Sequence, residues 1–254
     1  MEFFDTHAHY NDEKFSVDRE EIIKSAYKEN ITKIVNVGYS IQGSREAIEI
    51  ADKHDFIYAT VGIHPSEITK DIENDINEIE KLAKSNKVVA IGEIGLDYYW
   101  NKENKEEQKQ GFIKQIELAN KLNLPIVIHS REAISDTLEI VKQVECNKKG
   151  IFHCCPLNAD LVKQALKLGY YISFAGPITF KNSKNAEETL KLVPIEKMLI
   201  ETDCPYLAPE PLRGTRNNSI NVKYVAEKIA LVKEISIEQV AKITYENAKK
   251  IYNI

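Results

Sequence analysis

Cysteine is scarce in this chain, with four residues in 254, at positions 146, 154, 155 and 204, and no C-x-x-C spacing. That usage argues against a disulfide framework and fits reduced thiols in a cytosolic enzyme. An excess of positive charge is also missing. Thirty-four Lys and Arg against 39 Asp and Glu leave a net charge of −5, so a broad basic groove gripping duplex DNA by counterion release is not expected. Any anionic substrate has to be held locally. No apolar run is long enough to span a bilayer, and the start Met1-Glu2-Phe3-Phe4-Asp5 lacks the positive and apolar regions of a signal peptide. A cytoplasmic location without membrane contact is therefore expected. Low-complexity tracts and long Gly/Ser linkers are absent too, so a single domain over residues 1–254 is the simplest organisation.

Short apolar runs alternate with amphipathic stretches instead. Strands are expected near 2–6, 33–37, 57–62, 88–93, 125–129, 150–153, 170–174 and 198–202. Runs such as Val88-Val89-Ala90-Ile91 lack polar alternation, as parallel strands covered on both faces do. Over residues 104–123, Phe112, Ile116, Ala119 and Leu122 recur at helical spacing, and Asn123 and Pro125 supply a left-handed stop and a block to continuation. Ser236 and Gln239 predict a capping box at the start of the last helix, with Val240, Ile243 and Ile251 on its apolar face. Eight β/α alternations predict a (β/α)8 TIM barrel; an open doubly wound sheet would not gather residues from six strands around one point.

Five of the six histidines, with Glu93 and Asp203, fall at the C-terminal ends of these strands, where a barrel builds its active site; His54 stands apart in a helical stretch. His7 and His9 are two apart, so on a strand they present both imidazoles to one side and to one ion. Glu93 ends an apolar strand between Gly92 and Gly95, where an unpaired carboxylate is costly to desolvate and a carboxylate bridging two cations is not. His129 and His153, on the next two strands, suit a second ion, and Asp203 on the eighth closes the ring beside the first. Any one of these alone can be a hydrogen-bonded rim residue. Six at equivalent strand ends point to metal. Cys154 and Cys204 directly follow proposed ligands, so on strands they are expected to face the opposite way, into packing, and Cys155 stays unassigned.

At this point the residues resemble the TatD family of metal-dependent hydrolases and deoxyribonucleases, a branch of the amidohydrolase-like TIM barrels. The resemblance spans the chain. It is carried by Asp5-Thr6-His7-Ala8-His9, Gly62-Ile63-His64-Pro65, Gly92-Glu93-Ile94-Gly95-Leu96-Asp97-Tyr98, His129-Ser130-Arg131, Phe152-His153-Cys154, Thr202-Asp203-Cys204-Pro205-Tyr206-Leu207 and Arg213-Gly214-Thr215-Arg216-Asn217. It implies that His7, His9, Glu93 and Asp203 hold one metal, that Glu93, His129 and His153 hold the other, and that His64 lies near a scissile phosphate. Cys155-Pro156-Leu157-Asn158 and Asn218-Ser219 depart from the family pattern, outside the proposed ligands.

The chemistry implied is phosphodiester hydrolysis through water activated by two divalent metal ions, most simply deoxyribonuclease action on the ends of single-stranded DNA, with RNA also a substrate class. Asp203 is the expected group for orienting or deprotonating that water. His64, Arg131, Arg213 and Arg216 are candidates for phosphate contact. Tyr98, Tyr99 and Trp100 can stack on an unpaired base or simply pack the rim, and the mixed charges from Lys102 to Lys109 read as a solvated face. Imidazole-rich ligation favours zinc or manganese, whereas the resemblance implies magnesium dependence. Two alternatives stand beside the nuclease reading. One is an ester or amide hydrolase, such as an aminoacyl-tRNA deacylase or a lactonase; the other is a non-catalytic metal-binding scaffold. No obligate protein partner is inferred.

Overall fold

A computed structural model describes residues 1–254. Eight strands run β1 (Phe3–Ala8), β2 (Ile31–Val37), β3 (Ile57–Val61), β4 (Val88–Asp97), β5 (Ile126–Arg131), β6 (Gly150–Phe152), β7 (Tyr171–Phe174) and β8 (Met198–Ile200). Each pairs in parallel with the next, in the order β1 to β8. The ring closes at its C-terminal end, where the Asp203 N–H donates to the His7 carbonyl at 2.9 Å and the His9 N–H to the Cys204 carbonyl at 2.7 Å. The expected (β/α)8 barrel is what forms.

Nine helices surround it: α1 (Arg19–Lys28), α2 (Ile41–Asp52), α3 (Ile72–Leu82), α4 (Lys105–Leu122), α5 (Ile134–Gln143), α6 (Ala159–Lys167), α7 (Ala186–Leu192), α8 (Val222–Lys233) and α9 (Ile237–Tyr252). Alternate strand residues serve two cores. Phe4, Val35, Val127, Ile151 and Leu199 form a small cluster with Ala248 and Tyr252 of α9, while their neighbours Phe3, Ile34, Ile128, Phe152 and Ile200 join the large cluster shared with the helices. On α4, Phe112 and Ile116 are fully buried; at about 1.5–3 kcal/mol each, such burial fixes that face of the helix against the barrel. Asn123 takes the left-handed conformation at φ 57° and ends α4 as expected, and Ser236 and Gln239 form the capping box of α9.

The differences from expectation lie at strand ends. β4 runs on to Asp97, because Gly95, Leu96 and Asp97 continue to pair with His129, Ser130 and Arg131 of β5. Gly95 permits this: its φ is +138°, and a Cβ there would lie 2.0 Å from the His129 carbonyl oxygen. β8 stops at Ile200, so Asp203 sits beyond the strand, at φ 54°. His54 lies past the end of α2 rather than within it, 3.2 Å from Glu20. Cys204 is core, and so is Cys155, but Cys154 is only partly buried and lines a cavity. Strand alternation does not govern Cys154, because β6 ends at Phe152 and Cys154 has φ 35°.

Candidate metal centre

His7 is in β1 and His9 just beyond it, and a register irregularity between Asp5 and Ala8 shapes that end of the strand. Their rings nevertheless share a side, with the two Nε2 atoms 3.1 Å apart. Glu93 Oε2 stands 3.5 Å from His7 Nε2 and 3.6 Å from His9 Nε2; Asp203 Oδ1 stands 3.6 and 3.3 Å from the same atoms. Four donors around one ion at bond lengths of about 2.1 Å define a tetrahedron with edges of roughly 3.4 Å. The observed spacings fit that figure, so these four side chains could hold a metal.

The other oxygen of Glu93 faces a different set. His129 Nδ1 and His153 Nε2 each lie 2.8 Å from Oε1, and 3.3 Å from one another. This trio offers three donors and leaves positions open, the pattern of a catalytic rather than a closed structural site. Glu93 is 4% exposed and a register break between Ile91 and Ile94 interrupts β4 around it. Burial alone would raise its carboxyl, but the imidazoles of His153, His64 and His129 overcome that and hold it well below the usual carboxylate range. For Asp203 burial is likewise outweighed, here by His9 and His7, and its carboxyl is held low. Both acidic groups are therefore ionised and ready to bind cations.

His64 follows β3 and caps the short turn Pro65–Glu67, where its Nδ1 accepts the Ser66 N–H at 3.1 Å. The proton then belongs on Nε2, which points at the cluster 3.7 Å from Glu93 Oε1. Its atoms are close enough to Glu93 and His129 to count as a ligand group, but a protonated nitrogen donates hydrogen bonds and does not ligate. Burial, reinforced by His129, lowers its pKa to about 3, so the ring is a neutral donor.

Arg131 lines the cavity beside the cluster and stacks on Tyr99, 3.9 Å from the ring centroid, with Trp100 at 5.5 Å. Tyr99 and Trp100 are 48% and 69% exposed, whereas Tyr98 is buried and donates to Asp136. Of the aromatic run, Tyr98 is rim packing. Arg213 is not brought to the cluster; it is exposed and lies over Phe180, 4.2 Å from that ring. Arg216 is likewise committed elsewhere, paired with Asp18. The charges from Lys102 to Lys109 are mostly solvent-facing, as expected.

Three buried acids escaped notice as individual residues. Asp97 Oδ2 lies 3.0 Å from His129 Nε2 and Glu201 Oε1 3.4 Å from His153 Nδ1. Asp5 accepts from the hydroxyls of Ser219 and Thr202, both at 2.6 Å, tying β1 to the chain after β8; burial pushes its pKa up to about 7 despite those bonds. The one available signal was their placement, since each is an acid in or beside an otherwise apolar strand.

The cavity has a volume of about 730 Å³ and opens onto His129, His153 and Asp203. Its walls are mainly apolar, from Trp100, Ile134, Leu157, Phe174, Ile178 and Leu207, with Arg131 its one arginine or lysine. The departing segment Cys155-Pro156-Leu157 forms part of them.

The whole chain has relatives with this organisation. The family described as TatD related DNase matches residues 4–253. YabD of Bacillus subtilis (strain 168), described as an uncharacterized metal-dependent hydrolase, is 46% identical over 252 residues, which is 99% of either chain. A TatD-family hydrolase from Entamoeba histolytica has a similar structure, with a TM-score of 0.88 at 26% identity over 99% of this chain and 98% of that one. YJJV, a TatD homologue from Escherichia coli K12, shares the fold at a TM-score of 0.94 and 24% identity, over 99% of this chain and 98% of that one. A catalytic-type cluster at the mouth of the barrel and a full-length family match lead to one conclusion: the chain belongs to the TatD-related DNase family of metal-dependent hydrolases.

Proposed function

We propose that the protein hydrolyses phosphodiester bonds with two divalent cations, acting on the ends of single-stranded DNA and, in the same site, on RNA. The observation that carries this reading is the division of Glu93, whose Oε2 faces His7 and His9 while Oε1 faces His129 and His153. When bound, the cations supply an activated water and neutralise charge developing on phosphorus. Asp203, held ionised, accepts the proton from that water. His64 presents its Nε2–H to a phosphoryl oxygen as a neutral donor. Arg131 takes a neighbouring phosphate, and the exposed faces of Tyr99 and Trp100 stack on an unpaired base.

End-labelled single-stranded DNA, incubated with and without chelator, tests the reading against a Glu93→Ala variant. Stepwise shortening by the wild type alone, lost on chelation, is expected. Intact DNA at high enzyme concentration, across zinc, manganese and magnesium, would refute the nuclease assignment.

A second reading is favoured by the cavity itself, whose apolar walls and single arginine suit a neutral ester, amide or lactone. The same protein assayed on neutral esters and lactones separates the two, because an esterase turns these over and leaves oligonucleotides intact.

A further inference from the structure

The four histidines at the cluster are not supported alike. Behind His9, Nδ1 faces the Val37 carbonyl at 3.1 Å, and behind His7, Nδ1 is buried with no hydrogen-bond partner. His153 Nδ1 likewise makes no hydrogen bond, but it and His129 each have a carboxylate at the back of the ring, hydrogen-bonded in the case of His129. His129 turns Nδ1 toward Glu93 at 2.8 Å and Nε2 toward Asp97 at 3.0 Å. His153 is reversed, with Nε2 toward Glu93 at 2.8 Å and Nδ1 toward Glu201 at 3.4 Å, an approach of charged groups outside hydrogen-bond geometry.

We infer that Asp97 and Glu201 are positioning residues that lock His129 and His153 into opposite tautomers, so that both present a lone pair to the second cation. This rests on the two-metal reading above. A carboxylate accepts and cannot donate, so the ring nitrogen facing it carries the proton and the opposite nitrogen is freed. The inward nitrogens also face a carboxylate, Glu93, and there a bound cation would take the place of the proton. The outward protons remain with Asp97 and Glu201.

Both acids are themselves fixed. Asp97 is 2% exposed; its Oδ1 accepts the N–H groups of Tyr99 at 2.9 Å and Trp100 at 3.1 Å, leaving Oδ2 for His129. Gln108 of α4 clasps its backbone at both N–H and carbonyl. Glu201 is fully buried and its Oε1 also accepts the Cys154 N–H at 2.7 Å, while Oε2 has no partner. A buried carboxylate with so few donors is hard to explain by stability, since it would be cheaper to replace with an apolar side chain. An outward imidazole proton supplies the reason for Glu201.

Zinc-loaded wild-type protein with 15N-labelled histidine tests this directly. Long-range 1H–15N correlation is expected to show His129 protonated on Nε2 and His153 protonated on Nδ1. The same tautomer on both rings would overturn the inference. In parallel, Asp97→Asn and Glu201→Gln are expected to release one of two zinc ions to a competing chelator at roughly 10- to 100-fold lower chelator concentration, with the other ion retained. Asp97→Ala should lose more than Asp97→Asn, whose amide oxygen still accepts the Nε2 proton. Variants that keep both ions at wild-type affinity refute the positioning role alone. Wild type that binds no second zinc removes the two-metal reading, and the inference with it.

Discussion

The Nε2 atoms of His7 and His9 stand 3.1 Å apart, both rings buried, with Glu93 and Asp203 oxygens closing the remaining directions. His9 Nδ1 faces the Val37 carbonyl, which only accepts, so its Nε2 carries a lone pair aimed into the same small volume. Such convergence is stable with a cation or a shared proton between the groups and costly with neither.

Removing metal should therefore lower stability as well as activity. A ligand present at 100 times its dissociation constant stabilises the folded state by about 2.7 kcal/mol. Chelated protein is expected to melt at a lower temperature and to recover both properties when a single ion species is restored. Recovery of the melting temperature with no turnover of any ester or phosphodiester would favour the scaffold alternative instead.

Glu93→Gln keeps the side chain's shape and removes the charge that faces both halves of the cluster. Several kcal/mol of charge stabilisation at the reacting centre corresponds to a fall in kcat of about 100-fold or more. Elemental analysis should show loss of at least one ion. A variant with wild-type metal content and rate would show that the two oxygens do not bridge.

Asp203→Asn separates ligand from base. Expected is a slow enzyme that still carries metal, with a kcat loss of roughly 100- to 10,000-fold, the usual contribution of a positioned general base. An empty site would make Asp203 a ligand only.

The pH dependence of folding should contain a contribution from His64. Its pKa is about 3 in the folded protein against 6.5 in the ordinary case. Between those values the unfolded chain takes up a proton that the folded chain refuses, so stability present above 6.5 is lost as pH falls through the window. Denaturant titrations of wild type and His64→Gln, compared over that range, should show a shallower acid loss in the variant. Parallel curves would mean that His64 titrates normally.

Gly95→Ala tests the backbone that carries Glu93 and Asp97. Its positive φ, and a Cβ placed 2.0 Å from the His129 carbonyl oxygen, leave no room for a side chain. Strain of this kind costs about 1–3 kcal/mol from φ alone, and the clash adds to it. Chemical denaturation should show a loss at or above that range, and a loss below about 0.5 kcal/mol would be incompatible with the β4–β5 pairing described.

Much of this could be read from order along the chain. Continuous apolar runs without polar alternation, separated by helical stretches, point to a parallel barrel, and a barrel's directionality places His7, Glu93, His129 and His153 at one mouth before any distance is known. Other positions could not be read, because strand alternation fails where strands end. Cys154 and Asp203 lie beyond β6 and β8 with positive φ, so period two says nothing about their direction. Residue type alone makes Arg213 and Arg216 equally candidates for phosphate contact or loop charges; the fold sets Arg216 against Asp18 and Arg213 over Phe180.

The sequence by itself determined which chemical groups this protein owns and which end of the barrel they occupy, since both follow from residue type and local periodicity. Tertiary structure alone decided which atom of each group faces which neighbour. Glu93 divides its oxygens, and Asp97 and Glu201 stand behind opposite nitrogens of two imidazoles, through contacts between strands far apart in the chain. Local pattern carries no information about such contacts, because they depend on how strand registers and loop conformations combine when the ring of β1 to β8 closes.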